Sequence, residues 1–208
     1  LGTDHVDIYK LHRPYPDVPI DETLGALAEE VSAGRVEVIG CSQHSGDQLR
    51  EALETSRIHG YPRFEIVQPG YNLALRDDED DLLPLCIEEG LAVTPFSPLG
   101  AGFLTGKYTQ NRDDIPKGTR FHIMPPHIEI YFKKRNFRIV EKLRVKSVEL
   151  GVSMAFLAMA WVMSNPAITT ILVGAREPAH IDNALEAYKI GMDEELRAEI
   201  SAWGDESD

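Results

Sequence analysis

Positive charge is scarce in this sequence. Lys and Arg number 21 against 34 Asp and Glu, a formal net charge of −13. That balance excludes nucleic acid and an anionic membrane as expected partners, because a phosphate-rich surface is bound by a basic one. Cysteine is nearly absent, with Cys41 and Cys86 alone. A disulfide framework is thereby excluded. Both thiols sit in apolar runs and read as reduced core residues, which points to a cytoplasmic setting. Long hydrophobic runs are missing too. The stretch MAFLAMAWVM, residues 154–163, falls short of the roughly 20 apolar residues that span a bilayer. The seven histidines are scattered, and neither H-x-H nor H-E-x-x-H occurs, so no metal site is expected.

What is present is a sizeable apolar fraction, 43%, arranged with a rhythm. His5–Leu11, Val36–Cys41, Phe64–Gln68 and Leu91–Phe96 read as strands. Amphipathic stretches separate them. Leu24, Leu27, Ala28 and Val31 form one helical face, and Leu49, Ala52 and Leu53 form another behind a Ser45–Gln48 capping box. Val6 to Val36 and Val36 to Ile66 are each 30 residues, and Ile66 to Ala92 is 26. A near-constant βα period predicts a parallel sheet in an α/β fold. Further on, Phe137–Leu150 reads as a helix with Val140, Leu143, Ser147 and Leu150 on its inner face. A buried helix, a fifth strand at Ile168–Val173 and two closing helices follow, with Ile181, Ala184, Leu185 and Tyr188 inside the first of these two. No linker interrupts residues 1–208, so a single domain is expected. Residues 109–136 are Pro-, Arg- and Asp-rich without a period, and are expected to be a long loop that covers a ligand and orders on binding.

In parallel βα architectures ligands sit at the C-terminal strand ends. His12 and Arg13 stand after the first strand, and Ser42, Gln43 and His44 after the second. Gln68, Tyr71 and Asn72 follow the third, Phe96 and Ser97 the fourth, and Gly174 and Arg176 the fifth. Amides and a hydroxyl can hold a carboxamide, and an aromatic face can stack on a heteroaromatic ring. The stretch VTPFSPLGAGFLTGKY, residues 93–108, supplies Gly100, Gly102, Gly106 and Lys107, small residues and a cation suited to phosphate oxygens. Together these describe a nicotinamide dinucleotide. No G-x-G-x-x-G follows a strand, so the binding mode differs from a Rossmann fold.

Five segments, LGTDHVDIYKLHRP, GCSQHS, VQPGYNL, PFSPLGAGFLTGKY and ILVGAREP, resemble the aldo-keto reductases, particularly the bacterial ones, in order and spacing across nearly the whole sequence. The resemblance implies a (β/α)8 TIM barrel, of which this chain would supply strands 4 to 8 and their helices. It implies that His12 is the catalytic histidine that polarises the substrate carbonyl. Ser42, Gln68 and Gln43, the last standing where the family usually has Asn, would hold the nicotinamide carboxamide. Phe96 would stack on the ring, and Ser97, Leu99, Gly100, Gly102 and Lys107 would form the pyrophosphate loop. Gly174 and Arg176 would lie near the adenosine phosphate, with His180 and Asn183 at the adenine end. The family's Asp, Tyr and Lys are expected upstream of Leu1, and these 208 residues are not expected to fold and act alone. The implied activity is NADPH-dependent reduction, with NADH possible, of a small aldehyde or ketone. The alternatives are a non-catalytic nucleotide-binding barrel subunit of the channel-associated kind and an inactive fragment.

Overall fold

The structure, a computed structural model, describes residues 2–204; Leu1 and residues 205–208 lie outside the described residues. Two compact units emerge. The first comprises Leu1–Pro69 and Asp77–Pro95, and the second Gly70–Arg76 and Phe96–Asp208.

The first unit is a repeated βα arrangement. β1 (Val6–Leu11), β2 (Val36–Ser42), β3 (Ile66–Gln68) and β4 (Ala92–Val93) form a parallel sheet in that order. Val6 pairs with Val36 and Ile66 with Ala92, whereas Ile66 pairs with Gly40, four residues beyond Val36. The equal spacing seen in the sequence therefore marks repeating units, not aligned register. β2 is the most buried strand, with Val36, Ile39, Cys41 and Ser42 all buried. Its apolar sequence, VEVIGC, suits this inner place between β1 and β3. β1 is an edge of this sheet, and its Ile8 and Tyr9 are exposed.

α1 (Ile20–Ser32) buries Leu24 and Leu27. α2 (Gly46–His59) begins at the expected capping box, Ser45 accepting from the Gln48 N–H and Gln48 accepting from the Ser45 N–H. It ends at Gly60 in the left-handed region, φ 68°. The acidic run before α3 (Leu82–Glu88) does not cap it. Asp77–Glu79 is a 3-10 turn, and Asp81 spends its carboxylate on Arg50 of α2.

Cys41 and Cys86 are both free and buried, and burial pushes each thiol up to about 12. A thiol held that far above its ordinary value supplies almost no thiolate at neutral pH. Native protein should react with a disulfide reagent at least about a hundredfold slower than protein in guanidinium, where both thiols titrate promptly. Rapid labelling of native protein would contradict the burial.

Three sequence expectations are corrected in extent. β3 and β4 are shorter than Phe64–Gln68 and Leu91–Phe96, because Pro95 has no N–H to continue a ladder and β4 can only pair along a three-residue β3. The fifth strand at Ile168–Val173 does not form. No ladder among the described residues includes it, although its composition is that of a strand. Gly174 and Arg176 therefore precede a helix instead of ending a strand.

Residues 109–136 are not a structureless loop. They carry a 3-10 turn at Arg112–Asp114 and two short helices, α4 (Arg120–Ile123) and α5 (His127–Tyr131). The reason is aromatic. Phe121 and Tyr131 are buried in a cluster with Phe103, Tyr108, Phe132 and Phe137, in which contacting rings lie 4.5 to 6.3 Å apart. Rings spaced too irregularly for a period still make a cluster.

The rest of the second unit is helical. α6 (Lys134–Leu150) buries Phe137, Val140, Leu143 and Ser147, but Leu150 is exposed in the last turn. α7 (Met154–Met163) starts at Ser153, whose hydroxyl accepts from the Phe156 N–H, and is buried on nearly every side, as its unbroken apolar sequence predicts. α8 (Pro178–Ile190) faces the other way from expectation. Ile181, Leu185 and Tyr188 are 42, 51 and 74% exposed, while the small Ala187 is fully buried. α8 packs with α7, and Ala187 permits a close approach that a large side chain would prevent. α9 (Glu194–Ala202), capped by Asp193, closes the unit. No single helix among the described residues is long and apolar enough to cross a membrane.

Candidate functional site

Within the first unit the strand ends carry a set of polar side chains. Ser42 and Gln68 are register partners on β2 and β3. The Ser42 hydroxyl donates to the Gln68 carbonyl at 2.7 Å, and the Gln43 N–H donates to the same oxygen at 3.2 Å. Gln43 sits at φ 59°, a conformation that costs a non-glycine residue roughly 1–2 kcal/mol. Its side-chain amide turns from the strand end and donates to the His12 carbonyl at 2.9 Å. Gln43 therefore fixes the backbone of the loop that carries His12, whose side chain is exposed.

Two groups that the sequence reading left without a role appear here. His44 is buried edge-on against Phe64, and its Nδ1 donates to the Ser42 carbonyl at 2.9 Å. Burial lowers its pKa, partly opposed by that hydrogen bond. Lys10 donates to the Gln68 side-chain oxygen and to Thr94 Oγ1. A cleft nearby is lined by Leu11, Arg13, Tyr15, His44, Gln48 and Glu51, among others. None of the expected binding residues lines it.

In the second unit the expected phosphate loop is built on left-handed backbone. Ser97, Gly100, Ala101, Gly102 and Gly106 have φ of 56, 56, 57, 88 and 74°. Backbone strain at non-glycine positions clusters where function needs a set geometry. The three non-glycine residues with positive φ among those described, Gln43, Ser97 and Ala101, all fall at the expected binding segments.

Ser97 is held from below. Buried Asn72 donates to its carbonyl at 3.0 Å and to Tyr131 Oη at 3.3 Å, while its own oxygen accepts from the Ala74 N–H. Leu99 accepts from the N–H groups of Gly102 and Leu104. A Cβ on Gly100 would stand 2.9 Å from the Tyr131 ring, and one on Gly102 would stand 2.8 Å from Lys107 Nζ. Gly100 is required twice over, by conformation and by the Tyr131 ring, and Gly102 by conformation, since the lysine tip beside it can move. Gly70 likewise lies against the Phe96 ring, where a Cβ would come within 3.0 Å. Phe96 is bridged to Gly70 and accepts from the Tyr71 N–H.

The electrostatics of this unit favour an anion. Lys107 folds back over Gly102, its pKa lowered by burial and by the charge of Arg176. Neither cation has a carboxylate partner among the described residues. Two like charges brought together without a carboxylate partner among the described residues, beside backbone freed for close approach, suit phosphate oxygens. Taken each by itself, the polar set of the first unit has the chemistry to meet a carboxamide and the loop of the second unit the chemistry to meet phosphate oxygens.

Arg176 Nη1 also donates to the Gly118 carbonyl at 3.3 Å, and the Arg176 N–H donates to His180 Nδ1 at 3.2 Å. His180 and Asn183 lie in the first turns of α8. Gly174 has open space where a Cβ would stand.

The sequence reading missed Ala101, Tyr131 and Lys10. Tyr131 carried no signal, being one aromatic in an unpatterned stretch. Lys10 carried a faint one, a charge in strand alternation with Val6 and Ile8.

A probable voltage-gated potassium channel subunit beta of Arabidopsis thaliana is 34% identical over 203 residues, 91% of this chain and 58% of that protein. An NADH-specific methylglyoxal reductase of Escherichia coli is 31% identical over 199 residues, 92% of this chain and 57% of that protein. An L-glyceraldehyde 3-phosphate reductase of the same organism is 30% identical over 192 residues, 90% of this chain and 54% of that protein. The chain thus spans a little over half the length of these relatives. Residues 1–204 match the sequence pattern of the Aldo/keto reductase family, and the chain belongs to that family.

Proposed function

We propose that this chain is part of a cytoplasmic (β/α)8 oxidoreductase that uses NADPH to reduce the carbonyl of a small aldehyde or ketone. The observation that carries the reading is the loop at residues 97–107, with left-handed backbone at Gly100, Ala101 and Gly102 and the uncompensated charges of Lys107 and Arg176. Bound there, the dinucleotide supplies a hydride to the carbonyl carbon. The residues of this chain hold and orient. Ser42 and Gln68 grip the carboxamide, and Phe96 gives the ring a flat apolar face. His12 donates a hydrogen bond to the substrate oxygen, drawing charge toward it as an oxyanion develops. Gln43 keeps the His12 loop in place through its carbonyl. The proton for that oxygen is assigned to the family's Tyr, with its Lys and Asp, upstream in the full barrel.

NADPH is proposed over NADH because Arg176 offers a cation to a 2′-phosphate, with His180 held against its backbone. The relative named for NADH specificity makes the choice worth measuring. Arg176→Ala should reduce the NADPH-over-NADH ratio of kcat/KM by about tenfold, the value of one charge-assisted contact. An unchanged ratio would show that Arg176 does not read the phosphate.

A second reading is favoured by the relatives named as channel subunits, namely a barrel that holds the nucleotide without turnover. Steady reduction of 4-nitrobenzaldehyde by the full-length protein with NADPH supports the enzyme. Tight NADPH binding without turnover supports the subunit.

A further inference from the structure

We propose that Lys10 is a positioning residue of the cofactor site, fixing the amide of Gln68 and setting a positive charge beside the group that amide holds. The inference rests on the reading of Gln68 as a carboxamide contact.

The path of the side chain is built into the sheet. Lys10 on β1 pairs in register with Gly40 on β2, and Gly40 pairs with Ile66 on β3. A Cβ on Gly40 would stand 3.0 Å from Lys10 Cγ, as well as 2.5 Å from the Ile66 carbonyl. The bare glycine therefore leaves a channel along which the lysine stem crosses β2. Its Nζ reaches Gln68 at the end of β3 and Thr94 just beyond β4. No carboxylate pairs with Lys10 among the described residues.

An ammonium is a donor only, so the amide face it meets must be the oxygen. Gln68 Oε1 consequently points to Lys10 and Nε2 points away, donating to nothing among the described residues. A glutamine amide with no such partner turns over at little cost, and Lys10 removes that freedom. Ser42 is sorted in the same way. Its one hydroxyl hydrogen is given to the Gln68 carbonyl, which leaves its lone pairs to accept. Side by side in register, Gln68 offers N–H donors and Ser42 an acceptor, the complement of a primary carboxamide.

The charge has a second consequence. An oxidised nicotinamide ring is cationic and a reduced one is neutral. A fixed ammonium one hydrogen bond from the carboxamide contact repels the oxidised form and leaves the reduced form alone. Lys10 thus biases the site toward the hydride donor.

Dinucleotide affinities of the full-length protein, read by fluorescence or calorimetric titration without substrate, test this. Lys10→Met, with Lys10→Gln as a second neutral variant, should weaken NADPH binding by about fivefold, one hydrogen bond's worth. The Kd ratio of NADP⁺ to NADPH should fall by about threefold or more. Lys10→Arg should restore that ratio, and Lys10→Met should add little to the loss of NADPH affinity already caused by Gln68→Ala. A lysine that served only to hold the strands together would weaken both cofactor forms alike and leave the ratio in place. Wild-type protein that bound neither form would overturn the reading of the site and this inference with it. Wild-type protein that bound both, with a ratio unmoved in both neutral variants, would overturn the role of Lys10 alone.

Discussion

Trp161→Ala is expected to destabilise the second unit by about 3–5 kcal/mol, the cost of emptying a large aromatic site in a packed core. Trp161 on α7 is fully buried. It stacks on Tyr71 with ring centroids 5.3 Å apart, and its Nε1 donates to Ser201 Oγ on α9 at 2.9 Å. Arg76 and Arg197 lie over its ring at 5.5 and 5.1 Å. Arg76 also donates to the Ser201 carbonyl at 2.6 Å, and Arg197 to the Trp161 carbonyl at 2.8 Å. One side chain therefore ties α7, α9 and the Gly70–Arg76 segment, and its loss removes burial, a hydrogen bond and two cation–π contacts together. The shift should appear as a lowered guanidinium midpoint by far-UV circular dichroism. A midpoint unchanged within error would mean that α9 is not docked through this residue. Trp161→Phe, which keeps a ring but loses the Ser201 bond, should fall between the two.

His12→Ala should lower kcat by about 10²-fold while the Kd for NADPH stays within about twofold, the pattern of an interaction made chiefly in the transition state. The separation of the two effects follows from the structure. The His12 side chain is exposed, and its loop is secured through the backbone by Gln43. Truncating the imidazole should leave that loop where it is. Gln43→Ala should act through the same loop, lowering kcat less than His12→Ala does. Loss of NADPH affinity in His12→Ala on the scale of the rate loss would move His12 from catalysis to cofactor binding.

Much of the first unit was legible in the sequence because its signals are local. The βα period, the Ser45–Gln48 box and the Gly60 terminus each rest on residues within a few positions of one another. The strand at Ile168–Val173 was misread because its composition is right, while membership of a ladder is decided by distant segments that no local pattern reports. The inner face of α8 was misread for a related reason. Ile181, Leu185 and Tyr188 form the more apolar stripe, yet contact with α7 selected the small Ala187. In the 109–136 stretch the organising force is a cluster of six aromatic rings, and rings need proximity instead of period.

The candidate site was legible as a set of residue types and unreadable as a set of partners. Gln43, expected as a carboxamide contact, also grips the His12 carbonyl through its side-chain amide, a partner that no local pattern reports. Asn72 stood in the reading without a role and proves to hold Ser97 through its carbonyl. Ala101 gave no sign, since alanine at φ 57° is legible only in coordinates.

The most direct measurement is an experimental structure of the full-length protein with NADPH bound. Expected are the carboxamide on Ser42 and Gln68, the nicotinamide ring against Phe96, the diphosphate on the backbone of residues 97–102 with Lys107 beside it, and the 2′-phosphate at Arg176. A dinucleotide seated elsewhere, touching neither Ser42 nor Gln68, would contradict this reading.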